Sequence, residues 1–255
     1  MKRTLATIAA LIAFLVGASA SASNIRMVFW YPGEAGSSQE GQPVIDAFLE
    51  YLSGKVAPQK ISGRYLNTVE AGLSYIRNEK PALGIVSYAA WAQNKEKLPG
   101  ARAMLATLPL PEGKATERYE LVALGGKISA RGWIISSEPL SPAFARSELF
   151  DAIPENAKFT QTSQMIFKLK EIAEGKLDAA AVLTPTEAAS LSRMKSDWTA
   201  KLKRVALSKP VPSARVVLFD PSYDASKVKS ALLSAGSEPA AAEILSEMRL
   251  KGFSE

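Results

Sequence analysis

Ser87 and Tyr88 stand where an apolar run, Ala82 to Val86, stops and a helical pattern begins. Ser37 and Ser38 lie in a glycine-rich loop, Thr160, Thr162 and Ser163 surround Gln161 just ahead of another helical stretch, and Thr184 ends a second apolar run. Hydroxyls in such places cap the free N–H groups of the next helix, and hydroxyls and N–H groups together favour a bound negative charge. Tyr31, at the end of the first strand run, adds a phenol to the same candidate set. Catalysis is poorly served. The chain has no histidine and no cysteine, so histidine triads, thiol nucleophiles and metal sites built on those residues are excluded by composition. Asp178 and Glu187 flank the second region without an activated nucleophile beside them. The expectation is a binding protein with no catalytic residue, metal or cofactor.

The elements that must position these residues are those of an α/β protein. Helix Thr68 to Lys80 places Val69, Leu73 and Ile76 on one face and leads into Ala82 to Val86, a run apolar enough for a strand covered on both sides. About a hundred residues later the unit recurs. Helix Gln164 to Glu174, with Met165, Ile166, Leu169 and Ile172 on one face, stops at Gly175 and is followed by the strand run Leu177 to Leu183. Two such units predict two lobes. Ile25 to Tyr31 is the first strand, Pro32 to Gln42 a loop, and Pro43 opens a helix to about Lys55 that buries Val44, Phe48 and Leu52. Ile61 to Leu66, Ala103 to Leu108, Tyr119 to Leu124, Trp133 to Ser136, Ala157 to Thr160, Leu202 to Leu207 and Arg215 to Phe219 are further strands. Helices start at Ser141-Pro142, span Ser226 to Ser234, and run from Pro239 to Lys251 at the end. In open sheets of this kind ligands bind at the carboxyl ends of the strands, which is where the hydroxyls fall.

At the start, Lys2 and Arg3 precede an apolar run from Leu5 to Val16 and small-x-small patterns at Ala18 to Ala22. This predicts a signal peptide over residues 1–22 and an exported, periplasmic chain. Without Lys2 and Arg3 the 31 basic residues fall to 29 against 25 acidic ones, a net charge of about +4. The bases are interspersed with acids, as in Lys168, Lys170, Glu171, Glu174 and Lys176, so no nucleic-acid stripe is present.

Several stretches together resemble the phosphate, phosphite and phosphonate type of periplasmic solute-binding protein that serves ABC importers. They are Ile25 to Leu52, Tyr65 to Ala90 ending Gly-Ile-Val-Ser-Tyr-Ala-Ala, Glu174-Gly-Lys-Leu-Asp-Ala-Ala-Ala-Val182, Leu207-Ser-Lys-Pro-Val-Pro-Ser213, and Glu243 to Phe253. The resemblance implies a two-lobed type-2 periplasmic-binding fold, each lobe a mainly parallel sheet flanked by helices. Lobe one would be residues 23–108 plus 205–255, and lobe two residues 109–204. The direct passage from Thr160-Gln-Thr-Ser163 into Met165 implies a shortened second lobe. A small anionic ligand would lie between the lobes of a monomer, held by Tyr31, Ser37, Ser38, Ser87, Tyr88, Thr160, Thr162, Ser163 and Thr184. An ABC permease or a membrane sensor would be the partner. Two alternatives stay open. Trp30, Tyr31, Tyr88 and Trp91 could cage a quaternary ammonium or stack on an organic ring, or the fold could serve a sensory or partner-binding role without transport.

Overall fold

In the computed structural model, residues 24–34 and 36–255 are described, and the expected signal peptide lies outside them. The first strand, β1 (Asn24–Trp30), is buried from Met27 onward and pairs in parallel with β2 (Lys60–Leu66) and β3 (Leu83–Val86). Between them run α1 (Ser38–Lys55) and α2 (Val69–Glu79), followed by α3 (Tyr88–Asn94) directly after β3. Helix α1 begins five residues before the expected start at Pro43, because Ser37 and Glu40 form a reciprocal capping box. It buries Ile45, Phe48, Leu49 and Leu52, with Ile45 in place of the expected Val44. Pro43 sits inside the helix on its exposed side.

The chain then crosses to the second lobe. Strand β4 (Arg102–Pro109) belongs to the first sheet, the short β5 (Thr116–Glu117) follows, and β6 (Glu120–Leu124) belongs to the second sheet. Next come β7 (Trp133–Ser136), the short α4 (Pro142–Phe144) running into a wider turn at Ala145–Leu149, and β8 (Lys158–Gln161). They are followed by α5 (Met165–Ala173), β9 (Ala179–Leu183), α6 (Pro185–Arg193) and β10 (Leu202–Leu207). The return crossing holds β11 (Val211–Pro212), which pairs antiparallel with β5, so the two connections between lobes are joined to each other. The chain closes in the first lobe with β12 (Arg215–Leu218), α7 (Ser226–Ala235), α8 (Pro239–Glu247) and β13 (Leu250–Ser254).

The first sheet has the order β13-β4-β12-β3-β1-β2 and the second β10-β6-β9-β7-β8. Helices flank both, but the pairing is mixed. Parallel pairing is confined to β2-β1-β3 and β9-β7-β8; β12, β4 and β13 on one side, and β6 and β10 on the other, join antiparallel. Apart from the C-terminal β13, the antiparallel strands are those next to the crossings, where the chain passes between sheets without a crossover helix. Strand β10 spans the expected lobe boundary at residue 205 and stays paired with β6 through Leu207. The last expected helix stops at Glu247. Arg249 takes a left-handed φ of 56° and turns the chain into β13, whose Leu250 and Phe253 are buried against the lobe-one core.

Candidate functional site

Within each sheet the three parallel strands end level with one another. Trp30 is in register with Leu66 and Val86, and Ser136 with Gln161 and Val182. Segments leaving these ends carry the two lobes into contact. A Cβ on Gly33, in the loop after β1, would lie 2.2 Å from the carbonyl oxygen of Ser137, just after β7. Gln93 of α3 accepts a hydrogen bond from the Ser141 backbone N–H (2.7 Å) and donates one to the Pro139 carbonyl (3.2 Å). Ala89 is buried in the lobe-two core, and the Tyr88 ring lies 6.1 Å from that of Phe144. The lobes are closed upon each other.

Between α3 on one side and the Pro139–Glu148 segment on the other runs a groove of about 490 Å³, a size suited to a small molecule. Tyr88, Lys95 and Lys97 line it from lobe one, and Ser141, Ser147 and Glu148 from lobe two. Lys97 Nζ donates to Asn94 Oδ1 (3.0 Å). Burial raises the Tyr88 phenol pKa, with the Glu148 carboxylate adding to it and Arg215 opposing.

Of the hydroxyls singled out by sequence, most serve the backbone. Ser37, Ser87 and Thr184 accept from the N–H groups of Glu40, Ala90 and Glu187 at 3.2–3.3 Å as caps of α1, α3 and α6. Ser38 Oγ donates to Asn67 Oδ1 (3.1 Å), and Thr162 Oγ1 accepts from the Gln164 N–H (3.0 Å). Thr160 and Ser163 are exposed. Tyr31 stacks on Tyr65 at 6.5 Å, in different surroundings from Tyr88. The structure therefore brings these residues to one end of each sheet but does not converge their free donors on one point.

The aromatic cage is not assembled. Trp30 is fully buried, donates from Nε1 to the Thr68 carbonyl (2.9 Å) and packs in one core cluster with Trp91. Tyr31 borders the cluster under α1, and Tyr88 the lobe-two cluster. The fully covered Trp30 indole has no face to offer a ligand, and the half-buried Trp91 packs beside it rather than beside Tyr31 or Tyr88.

The residues that do converge are carboxylates and a phenol, of which only Glu187 was singled out by sequence. Tyr119 donates to Glu138 Oε2 at 2.7 Å. Burial pushes the Glu138 carboxyl up to about 8, with the charges of Glu117, Glu187 and Glu34 adding to it and the Tyr119 hydrogen bond opposing. Burial and Glu34 push Glu117 up to about 7. Glu34 is raised by burial, against Arg249. Glu34 is nonetheless exposed by surface area and Glu117 and Glu138 are half-buried, as expected of groups walled by protein but still touched by solvent in a cleft. No group of three acidic side chains among the described residues is arranged to hold a metal ion. Carboxylates thus gather at the hinge beside β5, while the α3–α4 groove holds two lysines and one carboxylate, Glu148.

This two-lobed arrangement with paired crossings is the type-2 periplasmic-binding fold, and solved structures of that class superpose on it. A binding protein component of an ABC phosphonate transporter from Pseudomonas aeruginosa matches with a TM-score of 0.65 at 12% identity, covering 91% of this chain and 81% of that one. A Xanthomonas citri protein bound to ATP matches with a TM-score of 0.68 at 15% identity, over 91% of each chain. PhnD1 from Prochlorococcus marinus, in complex with methylphosphonate, matches with a TM-score of 0.65 at 12% identity, over 91% of this chain and 92% of that one. No family model and no curated relative matches the sequence. At these identities the likeness establishes the fold.

Proposed function

We propose that this protein is a periplasmic solute-binding receptor, not an enzyme, that closes its two lobes on a small anionic ligand and presents the closed form to an ABC permease. The observation that carries this reading is the groove between α3 and the Pro139–Glu148 segment, which draws its walls from both lobes and its positive charges from Lys95 and Lys97. A ligand there touches both lobes only when they are closed, so binding energy goes into closure. A phosphorus oxyanion fits, because charge-assisted hydrogen bonds from a few donors hold it without a buried ion pair. Two of the superposed structures, a phosphonate transporter component and a methylphosphonate complex, support that class, while an ATP complex on the same fold makes nucleotides the natural competitor.

Thermal melts against methylphosphonate, phosphite, phosphate, ATP, sulfate, betaine and choline test this. At a hundredfold excess over Kd a ligand adds about 2.7 kcal/mol, or roughly 5–10 °C for a chain of this size. The expected result is such a shift with one phosphorus-containing anion, lost when Lys95 and Lys97 are both changed to Ala. A shift confined to betaine or choline, or one indifferent to the two lysines, overturns the assignment. A flat panel points to a sensory or partner-binding module instead.

A further inference from the structure

The contact between Gly33 and Ser137 sets Glu34 and Glu138, their sequence neighbours, on facing sides of the closed cleft. Glu34 belongs to lobe one, Glu117 to the hinge strand β5, and Glu138 and Glu187 to lobe two. Closure gathers four carboxylates from three parts of the chain that separate when the lobes part. We propose that protonation of Glu34, Glu117 and Glu138 gates the closure of the lobes, the protonated form favouring the closed state and the ionised form the open one.

The groups facing each carboxyl fix the direction. Around Glu138 stand Tyr119 from β6, which donates to it, and the charges of Glu117, Glu187 and Glu34. Glu117 feels the charge of Glu34. Glu34 feels the cation Arg249, which follows α8, and the charge of Glu187. Tyr31 and Tyr65 both sense Glu34, and their own pKa values are raised, first by burial, so they stay neutral and cannot supply a counter-charge. Glu187 is held by the Thr184 N–H (2.9 Å) as the cap of α6 and keeps its position. One guanidinium therefore opposes several acids. Like charges brought together in a partly desolvated cleft raise each other's pKa, and opening returns them towards the ordinary carboxylate range. Closing then takes up protons, and each proton so coupled changes the closed-to-open ratio by up to about tenfold per pH unit between the two values. With Glu117 near 7 and Glu138 near 8 in the closed form, the window runs from the ordinary carboxylate range to about 8. The closed population falls as pH rises through it.

The absence of cysteine allows the test to be direct. Spin labels on Glu247→Cys in lobe one and Lys195→Cys in lobe two, both exposed, report the interlobe distance between pH 5 and pH 9 with no ligand added. The proposal therefore stands or fails independently of the receptor reading. The distance is expected to lengthen as pH rises, and to stay short throughout in the variant carrying Glu117→Gln and Glu138→Gln. Glu117→Gln alone, at the hinge, shifts the midpoint. A distance constant over that range, a dependence unchanged in the double variant, or an unshifted midpoint in Glu117→Gln overturns the proposal. Circular dichroism at each pH separates opening from unfolding.

Discussion

Gly33→Ala is expected to abolish ligand-induced closure while leaving each lobe folded. The added Cβ would sit 2.2 Å from the Ser137 carbonyl oxygen and 2.7 Å from the Glu138 Cα. Both are backbone atoms of the opposite lobe, so no side chain can swing aside. Gly33 also has a φ of 88°, a region that costs an L-residue roughly 1–2 kcal/mol. The strain falls on a surface loop, whereas the collision falls on the interface. Affinity for the ligand identified in the melts should drop at least about tenfold, since every ~1.4 kcal/mol of closure lost is tenfold in Kd. The interlobe spin-label distance should stay long at saturating ligand. Isothermal titration showing parental affinity, with the parental short distance, would contradict this account of closure.

The second large effect is on stability. Gly72→Ala, in α2, places a methyl group 2.1 Å from Nε1 of Trp30. That indole is fully buried and tied to the Thr68 carbonyl by a 2.9 Å hydrogen bond. Alanine favours a helix over glycine by about 1 kcal/mol. Overpacking a filled core costs about 1–3 kcal/mol and sometimes more, and displacing the indole adds about 1 kcal/mol for its hydrogen bond. The loss wins. Chemical denaturation should show a net decrease of about 1–3 kcal/mol, or roughly 2–12 °C in Tm. Combining it with Trp30→Leu, which vacates the space, should cost less than the sum of the two single changes. Strict additivity would show that Trp30 is not what Gly72 makes room for.

These two glycines show what the sequence could reveal. The strand-to-helix junction at Ser87 was legible because apolar run, serine and helical periodicity meet at one residue, and Thr68 read correctly as a cap of α2, whereas the helix after Thr184 was not among the expected elements. The same chemistry also decides how free these hydroxyls are. A hydroxyl good enough to cap a helix is occupied by the cap, so Ser37, Ser87 and Thr184 offer a ligand less than their residue type suggests. The Ser37-Ser-Gln-Glu40 box was visible, yet glycines on both sides and Pro43 pull the eye to a later helix start. Strand β13 hides behind Arg249, whose left-handed turn no local pattern announces. The carboxylate cluster was illegible for a different reason. Glu34, Glu117 and Glu138 are far apart in the chain, and only the paired crossings β5 and β11 and the closing of the lobes make them neighbours.

The place of β12 governs how the molecule can be built. It fills the slot between β3 and β4 in the first sheet, yet it is synthesised after the whole of the second lobe. Until it arrives, β3 and β4 have no common neighbour, and the nascent first lobe presents unpaired strand edges of the kind that invite association with other chains. Strands β6 to β10, by contrast, are contiguous and can complete their sheet without waiting. The lobe that begins first is therefore finished last, and its sheet closes through long-range pairings that form slowly. During synthesis, the exposed flank of β3 is where this chain most needs protection.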